Sequence, residues 1–418
     1  MGEQIIVIGA GMVGVGVAWH LRQRGHAVTL IDAKGPGMET SHGNAGLIQR
    51  EAIWPHPFPR KLAEIIDTLP NQRLDIRYRL AGLSAYAGPL FQYWRQSTPT
   101  RVAAISKQWA TLIEQCTIEH ERMMTAAGAS AQALVRQVGW LQLHRDPVGL
   151  SEQVALAVDA AKQHGVAYRV LNPAELQALE PDVTPGEFCG AIHWLNAWQV
   201  VNPGALVKAY ADDFVANDGT LMVARVSRIQ PADTGWQVDT DRGSLSAAKV
   251  VVAAGPWSMD LLAPLGYRFP LFPMRGYHMH YGLAAGKTLN HSIVDFDKGF
   301  VLSPMQQGIR MTTGAEMTTL TGAARFEQLA ANEAVARTVL PLTEWLLDEP
   351  WFGARPCLPD MKPIIGPAPK HEGLWLAFGH GHQGFTLGPA TGRLLGQMLD
   401  GDAPMVDPQP FSAQRFLA

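Results

Sequence analysis

Residues 4–8 (QIIVI) form a short apolar, mostly β-branched run, followed by GAGMVG and then by VGVAWHLRQRG, a helical stretch that ends at Gly25. A second apolar run, AVTLID, comes next, so the first 32 residues predict a strand, a helix and a strand. Pro-rich sequence at 54–61 (WPHPFPRK) reads as a surface crossing, and from about Leu80 to Ala127 the pattern is mostly helical. Strand character returns at 138–144, followed by a helix over roughly 149–164 and a short one entered through Pro173 and stopped by Pro181. After Pro203 a helix is predicted to Asn217, then strands at 221–230, 235–240 and 248–253. Residues 266–320 alternate in YHMHY, SIVDF, GFVLSP and GIRMTTGAE, separated by Gly and Asp, which predicts an antiparallel sheet. LWLAFG and a glycine-led helix over 381–399 restore the strand-to-helix order. Parallel βαβ pieces therefore flank two insertions.

Composition narrows the function classes. The chain has 418 residues, 47% of them hydrophobic, which suits two domains with ample core rather than a disordered or fibrous chain. With 34 basic against 37 acidic residues it lacks the basic footprint of a nucleic-acid binder. Cys116, Cys189 and Cys357 are far apart and show no paired spacing, so neither a disulfide framework nor a zinc site is expected, and a cytoplasmic setting is the simplest reading. The apolar stretch Ile5 to Trp19 follows Glu3 where a signal peptide would carry basic residues. The apolar region Val250 to Met274 is cut by Asp260 and prolines, so no membrane span is expected. Peripheral attachment at the inner face of a membrane stays open.

Gly9-Ala10-Gly11-Met12-Val13-Gly14 lies between a strand and a helix, and Asp32 ends the next strand. This is a dinucleotide fingerprint in its full context. The glycines allow a tight turn, close approach of a pyrophosphate and helix-on-strand packing, the helix N-terminus faces the phosphates, and Asp32 accepts from ribose hydroxyls. Thr40-Ser41-His42-Gly43-Asn44-Ala45-Gly46 follows, a second loop of small residues that would let the same ligand approach the backbone; an ordinary Gly/Asn turn is the alternative. VVAAGPWS (251–258) ends a strand in small residues, where open α/β sheets bind ligands. Gly379-His380-Gly381-His382-Gln383-Gly384 opens a helix with free amides. His380 and His382 have ligand spacing, but no Cys, Asp or Glu joins them, so no metal is assigned.

These motifs, together with PMRGY (273–277), GARPCLPDMKPIIG (353–366) and GHGHQGFTLGPATG (379–392), resemble in order and spacing the FAD-dependent D-amino-acid oxidase superfamily, and within it the bacterial D-amino-acid dehydrogenases. The resemblance covers nearly the whole chain. It implies a Rossmann-like FAD-binding domain, assembled from 1–50, 148–262 and 352–418, interleaved with a substrate domain of antiparallel sheet and helices from 51–147 and 263–351. It implies FAD contacts at Gly9, Gly11, Met12, Val13, Gly14, Asp32 and Ala33, at Ser41 to Gly46, at Val226, at Ala254, Gly255 and Trp257, and at Gly381, His382 and Gly384. The last loop would face the pyrimidine edge of the flavin, where negative charge develops on reduction. Some relatives attach the flavin through a Cys near Cys357, but the surrounding pattern differs here, so non-covalent FAD is expected.

The resemblance also implies that Arg355, in the GxRP pattern, clamps a substrate carboxylate; its planar guanidinium can donate two parallel hydrogen bonds. Tyr277, His278, Phe300 and Gln383 are further lining candidates. Adjacent strand residues point to opposite faces, so Tyr277 and His278 cannot both line a pocket. Phe300 stands where many relatives carry a Tyr that reaches the carboxylate. The implied reaction is hydride transfer from the α-carbon of a D-amino acid to flavin N5, giving a 2-oxo acid, with positioning as the main contribution and no obligatory acid or base visible. Alternatives are oxidation of a secondary amine such as D-proline, D-hydroxyproline, sarcosine or an opine, and a flavin-binding subunit of a larger complex. The partners implied are the amine substrate and an electron acceptor, quinone or oxygen.

Overall fold

Gln4–Ile8 is exposed at its first residue and buried at the next four, as the central strand of a covered parallel sheet must be. The computed structural model describes residues 2–417. Ala27–Asp32 lies on one side of this strand and Lys249–Val252 on the other, all parallel. Thr220–Val223 and Leu374–Phe378 extend the sheet outward in parallel, and Ile364–Pro367 closes one edge antiparallel. The βαβ unit predicted from the opening residues is present, with its helix at Met12–Gln23. That helix packs against the last long helix, Gly384–Asp400, across Gly16, Gly388 and Gly392. A Cβ on Gly16 would stand 2.5 Å from the Gly388 carbonyl oxygen, so the crossing depends on small residues.

A second, larger sheet of eleven strands is mostly antiparallel. Its longest strand, Phe272–Leu283, pairs with Gly308–Thr312 and Ala315–Met317, and with Trp351–Cys357 on the GxRP segment. Ser292–Asp295 and Phe300–Met305 follow, as the alternation over 266–320 predicts. The sheet then continues through Trp140–His144 to Gly190–Trp194 and Tyr168–Leu171. Those last two strands fall in the stretch 148–262 that the sequence groups with the cofactor domain, yet they hydrogen-bond into the other sheet. Alternation shows that a segment is a strand; it does not report its partner, and here Trp140 selects Trp194. Four helices between Leu80 and Ala127 match the helical reading of that region. The helix Glu327–Val339 and the short helix Leu62–Thr68 were not anticipated.

Candidate functional site

The C-terminal ends of the parallel strands open onto a cavity of about 1100 Å3 between the two sheets. At one end lie Gly9, Gly11, Met12, Val13, Asp32 and Ala33, with Val226 and the neighbouring Arg225 beside them. Gly9 has φ 103°, and a Cβ there would stand 2.5 Å from the Ala253 carbonyl oxygen, so a side chain would strain the turn and jam it against the next strand. The N-cap residue of the fingerprint helix, Gly11, has no side chain to cap it and no acidic residue lies in the first turn, so that, the Met12 amide apart, its positive end is left toward the cavity. Asp32 accepts from the amides of Ala10 (2.8 Å), Lys34 (2.8 Å) and Gly35 (3.0 Å), which fixes its carboxylate at the rim. Gly14 does not line the cavity. It packs against the Gly9 carbonyl, the helix-on-strand role of a third fingerprint glycine.

The second loop is braced from beneath. Ser41 Oγ accepts from the Met12 amide (3.0 Å), tying the two loops together, and Asn44 Oδ1 accepts from Gly46 N (2.8 Å). Buried Arg310 donates Nη1 to the carbonyls of His42 (2.8 Å) and Asn44 (2.6 Å) and Nε to His280 (2.8 Å). Desolvation lowers its guanidinium to about 9. Ser41, Gly43, Asn44 and Ala45 face the cavity, whereas His42 and Gly46 turn into the protein and serve as loop supports. Nothing local marked Arg310, because the loop carbonyls it holds lie more than 260 residues away in sequence. Ala254, Gly255 and Trp257, on the short turn after Lys249–Val252, line the cavity wall, as do Gly381, His382, Gln383 and Gly384 at the start of the last helix.

Arg355 projects from Trp351–Cys357 into the far end of this cavity. Its Nη1 donates to the Gly314 carbonyl (2.8 Å) and its Nη2 to the Thr313 carbonyl (3.2 Å), which aims the guanidinium and leaves donors unused. Burial lowers its pKa from the ordinary arginine value, and among the described residues no carboxylate pairs with it. The register sets Arg355 opposite Met274 and Gly353 opposite Gly276. A Cβ on Gly276 would come within 2.6 Å of Arg355 Nη2, so this glycine makes room for the guanidinium.

Three of the candidate lining residues are placed elsewhere. Met274 and Gly276 face the cavity, so by alternation Tyr277 faces the other way; it is 1% exposed and donates its hydroxyl to Glu316. His278 shares the cavity-side face, but Trp351 stacks on it at 4.8 Å and seals it off. Phe300 lies in the core with Tyr277 and Met279, while its neighbour Val301 takes the cavity side. Gln383 does line the cavity, and it is oriented. Its Nε2 donates to Gln49 Oε1 (2.9 Å), Gln49 Nε2 donates to Glu51 Oε1 (3.1 Å), and Trp140 Nε1 donates to the same oxygen (2.7 Å). Desolvation raises the buried Glu51 carboxyl to about 7. The residues that sequence reasoning missed come mainly from the 49–58 segment: Gln49, His56 and Phe58, joined by Met274, Thr313 and Trp351. His56 meets His382 edge to face at 4.6 Å, and behind the pair lies a recess of about 40 Å3 walled by Trp54, Tyr93, Trp109 and Phe272. Among the described residues no three His, Cys, Asp or Glu side chains converge to hold a metal.

A cavity lined by the fingerprint glycines, Asp32, a helix N-terminus and a guanidinium without a carboxylate partner has the make-up of a dinucleotide-binding site. The glycine cradle, the anchored Asp32 and the free helix end fit FAD. The family model described as DAO, FAD dependent oxidoreductase, matches residues 4–398, and the chain belongs to that family. It is 30% identical over 425 residues to a D-amino-acid oxidase of Bradyrhizobium diazoefficiens, covering 100% of this chain and 99% of that one. It is 28% identical to a D-amino acid dehydrogenase of Chromohalobacter salexigens, covering 99% and 100%. Among solved structures, glycine oxidase from Geobacillus kaustophilus superposes with a TM-score of 0.75 at 20% identity, covering 98% of each chain. The L-proline dehydrogenase from P. horikoshii gives 0.74 at 18% identity, covering 100% and 98%. The protein is therefore an FAD-dependent oxidoreductase.

Proposed function

We propose that the protein oxidises a D-amino acid at its α-carbon to the imine, which hydrolyses to a 2-oxo acid. The carrying observation is Arg355: a half-buried guanidinium without a carboxylate partner, aimed into the cavity by two carbonyls. The unused donors of this group face the cavity, and a carboxylate matches its fork. The names of the relatives from Bradyrhizobium diazoefficiens and Chromohalobacter salexigens support an amino acid of D configuration. When bound, FAD supplies the hydride acceptor. Arg355 holds the carboxylate, Gln383 turns its amide oxygen away from Gln49, free to accept an N–H, and the aromatic recess behind His56 and His382 takes the substrate side chain. The FAD is held non-covalently, since Cys357 is buried with its thiol pushed up to about 12 by desolvation. Acid precipitation should leave yellow flavin in the supernatant; colour in the pellet would show a covalent link.

The test is an anaerobic screen of D-amino acids, their L enantiomers and N-substituted analogues against the holoenzyme, watching the flavin absorbance bleach. Faster bleaching by D than by L forms is expected. Bleaching by secondary amines alone would transfer the site to that substrate class, and no bleaching by any amine would overturn the reading.

Electrons leave for a membrane-borne quinone on this reading. Among the described residues no helix is long and apolar enough to cross a bilayer. Leu62, Ile66, Leu69, Phe91 and Trp94 are nevertheless exposed beside Pro57, Phe58 and Pro59, which line the cavity mouth, and this supports peripheral attachment there.

A further inference from the structure

Selection among amino acids needs a place for the side chain beside the clamp that holds the carboxylate, and the paired strands Phe272–Leu283 and Trp351–Cys357 supply one. Arg355 pairs with Met274 and, two residues along the same face, Cys357 pairs with Phe272. Two residues advance a strand by roughly 7 Å. At that step stands the recess of about 40 Å3, with Phe272, Met274 and Cys357 in its wall. It opens off the main cavity, because His56, Met274, His382 and Gln383 line both, and the two exposed histidines flank its mouth.

We propose that this recess is the side-chain subsite and that it selects short, uncharged aliphatic side chains, of the size of D-alanine to D-valine, with Phe272 and Met361 setting the limit. The inference rests on the amino-acid oxidation reading and names the class of substrate within it.

Volume sets the first bound. An apolar cavity of about 150 Å3 holds benzene, so by proportion the 40 Å3 here takes about two carbons beyond a Cβ at the mouth. A phenyl or indole ring would have to displace Phe272, which is 2% exposed and packed in one cluster with Tyr93 and Cys357. Charge sets the second bound. Among the described residues no Asp, Glu, Lys or Arg lines the recess. Three of the polar side chains in its wall are already engaged: the Tyr93 hydroxyl donates to the His56 carbonyl, Trp109 Nε1 donates to the Ala52 carbonyl (2.8 Å), and His380 Nε2 bonds Thr391 Oγ1 (2.9 Å). A side-chain carboxylate or ammonium entering here would give up water without gaining a charged partner, since Arg355 is taken by the α-carboxylate. Aliphatic carbons instead meet Phe272, Met274 and Met361, and the thioethers adapt to their shape.

Binding of straight-chain carboxylates to the holoenzyme, read from perturbation of the flavin absorbance, tests the recess without turnover, because none of them has an amine to oxidise. From propionate to butanoate to pentanoate the dissociation constant should fall about fourfold per added methylene, as burial of one CH2 implies, and hexanoate should gain nothing further. Affinity that ignores chain length, or that keeps rising through octanoate, overturns the proposal. In turnover, anaerobic flavin reduction by D-alanine or D-valine should exceed that by D-phenylalanine, D-glutamate or D-lysine about tenfold or more. Phe272→Ala and Met361→Ala should each raise the rate with D-phenylalanine relative to D-alanine by about tenfold. Neither side chain lines the main cavity, and Met361 is only half-buried, so FAD content should be kept. A wild type that prefers D-phenylalanine, or two FAD-loaded variants that keep the wild-type preference, would show that the side chain lies elsewhere. If no D-amino acid reduces the flavin, the oxidation reading fails and takes the amino-acid class with it, whereas reduction without the step in chain length sinks the subsite alone.

Discussion

Arg355, half-buried at the cavity wall, and Glu51, buried behind it, both lose water, and desolvation gives them opposite fates. A guanidinium stays charged when buried, so Arg355 waits for an anion; a carboxyl can take a proton, and Glu51 does so near neutrality. Arg355→Lys keeps the charge but loses the two-point grip, and a misplacement of about 1 Å can cost about a hundredfold in rate. Stopped-flow reduction should slow by that order in Arg355→Lys and more in Arg355→Ala, with the flavin spectrum nearly native; an Ala variant reduced at the wild-type rate would make Arg355 an ordinary structural arginine. For Glu51 the carboxyl goes from an ordinary value of 4.5 to about 7 in the folded state. Between those pH values the native protein binds more protons than the unfolded chain, so this group's stabilising contribution is whole below about 4.5 and is lost as pH rises to about 7. The loss is on the order of 3 kcal/mol. Glu51→Gln cannot titrate, so its melting temperature relative to wild type should rise from pH 5 to pH 8, and a constant difference would mean that Glu51 is ionised throughout.

At the level of strands and helices, the site depends on one pairing, Phe272–Leu283 with Trp351–Cys357, whose register sets Gly276 beside the Arg355 guanidinium. Gly276 is not in the left-handed region, so an added methyl brings no backbone penalty and acts through contact alone. Gly276→Ala should push Arg355 off its two carbonyls, raising KM for the amino acid about tenfold or more while FAD content is kept, since the cofactor cradle lies on other strands; an unchanged KM would show that the side chain can shift without loss of grip. The same pairing marks what the sequence could tell. The cofactor half was legible because its signals are local: Gly9 to Gly14, Asp32 and the turn at Ala254 each need residue types fixed within a few positions. Of the candidate substrate residues, only Arg355 and Gln383 line the cavity. Strand alternation showed that Tyr277 and His278 face opposite ways, but which face meets the cavity depends on partners 34 to 75 residues away, and Trp351 then covers the one on the cavity side. His56 carried no signal at all, because a histidine between prolines reads as surface until the last helix is placed against it.

Across the whole molecule, the exposed apolar side chains are unevenly spread, and the group at Leu62, Ile66, Leu69, Phe91 and Trp94 lies on helices that flank the cavity mouth. Phe91 and Trp94 stack at 5.9 Å on one helix, and the Arg60 guanidinium, just before the other, sits 4.2 Å over the Trp94 ring. Lys61, Arg95 and Arg101 add positive charge there, against Glu64 and Asp67, which are engaged by Lys61 and Arg73. A bilayer with anionic headgroups suits both features: burying a large apolar side chain contributes roughly 1.5 to 3 kcal/mol, and each basic residue near the surface about 1 kcal/mol. The arrangement would bring the route to the flavin next to the lipid phase, where a quinone acceptor resides. The holoenzyme should therefore co-sediment with vesicles containing phosphatidylserine, more weakly with neutral vesicles, and added salt should remove only part of the binding. The double substitution Ile66→Glu and Phe91→Glu should abolish sedimentation and slow reoxidation by vesicle-borne quinone, leaving anaerobic reduction by the amino acid at its wild-type rate, because neither side chain lines the cavity. If the wild type stays in solution with anionic vesicles, or the double variant passes electrons to the quinone as fast as the wild type, the apolar helices serve some purpose other than a membrane.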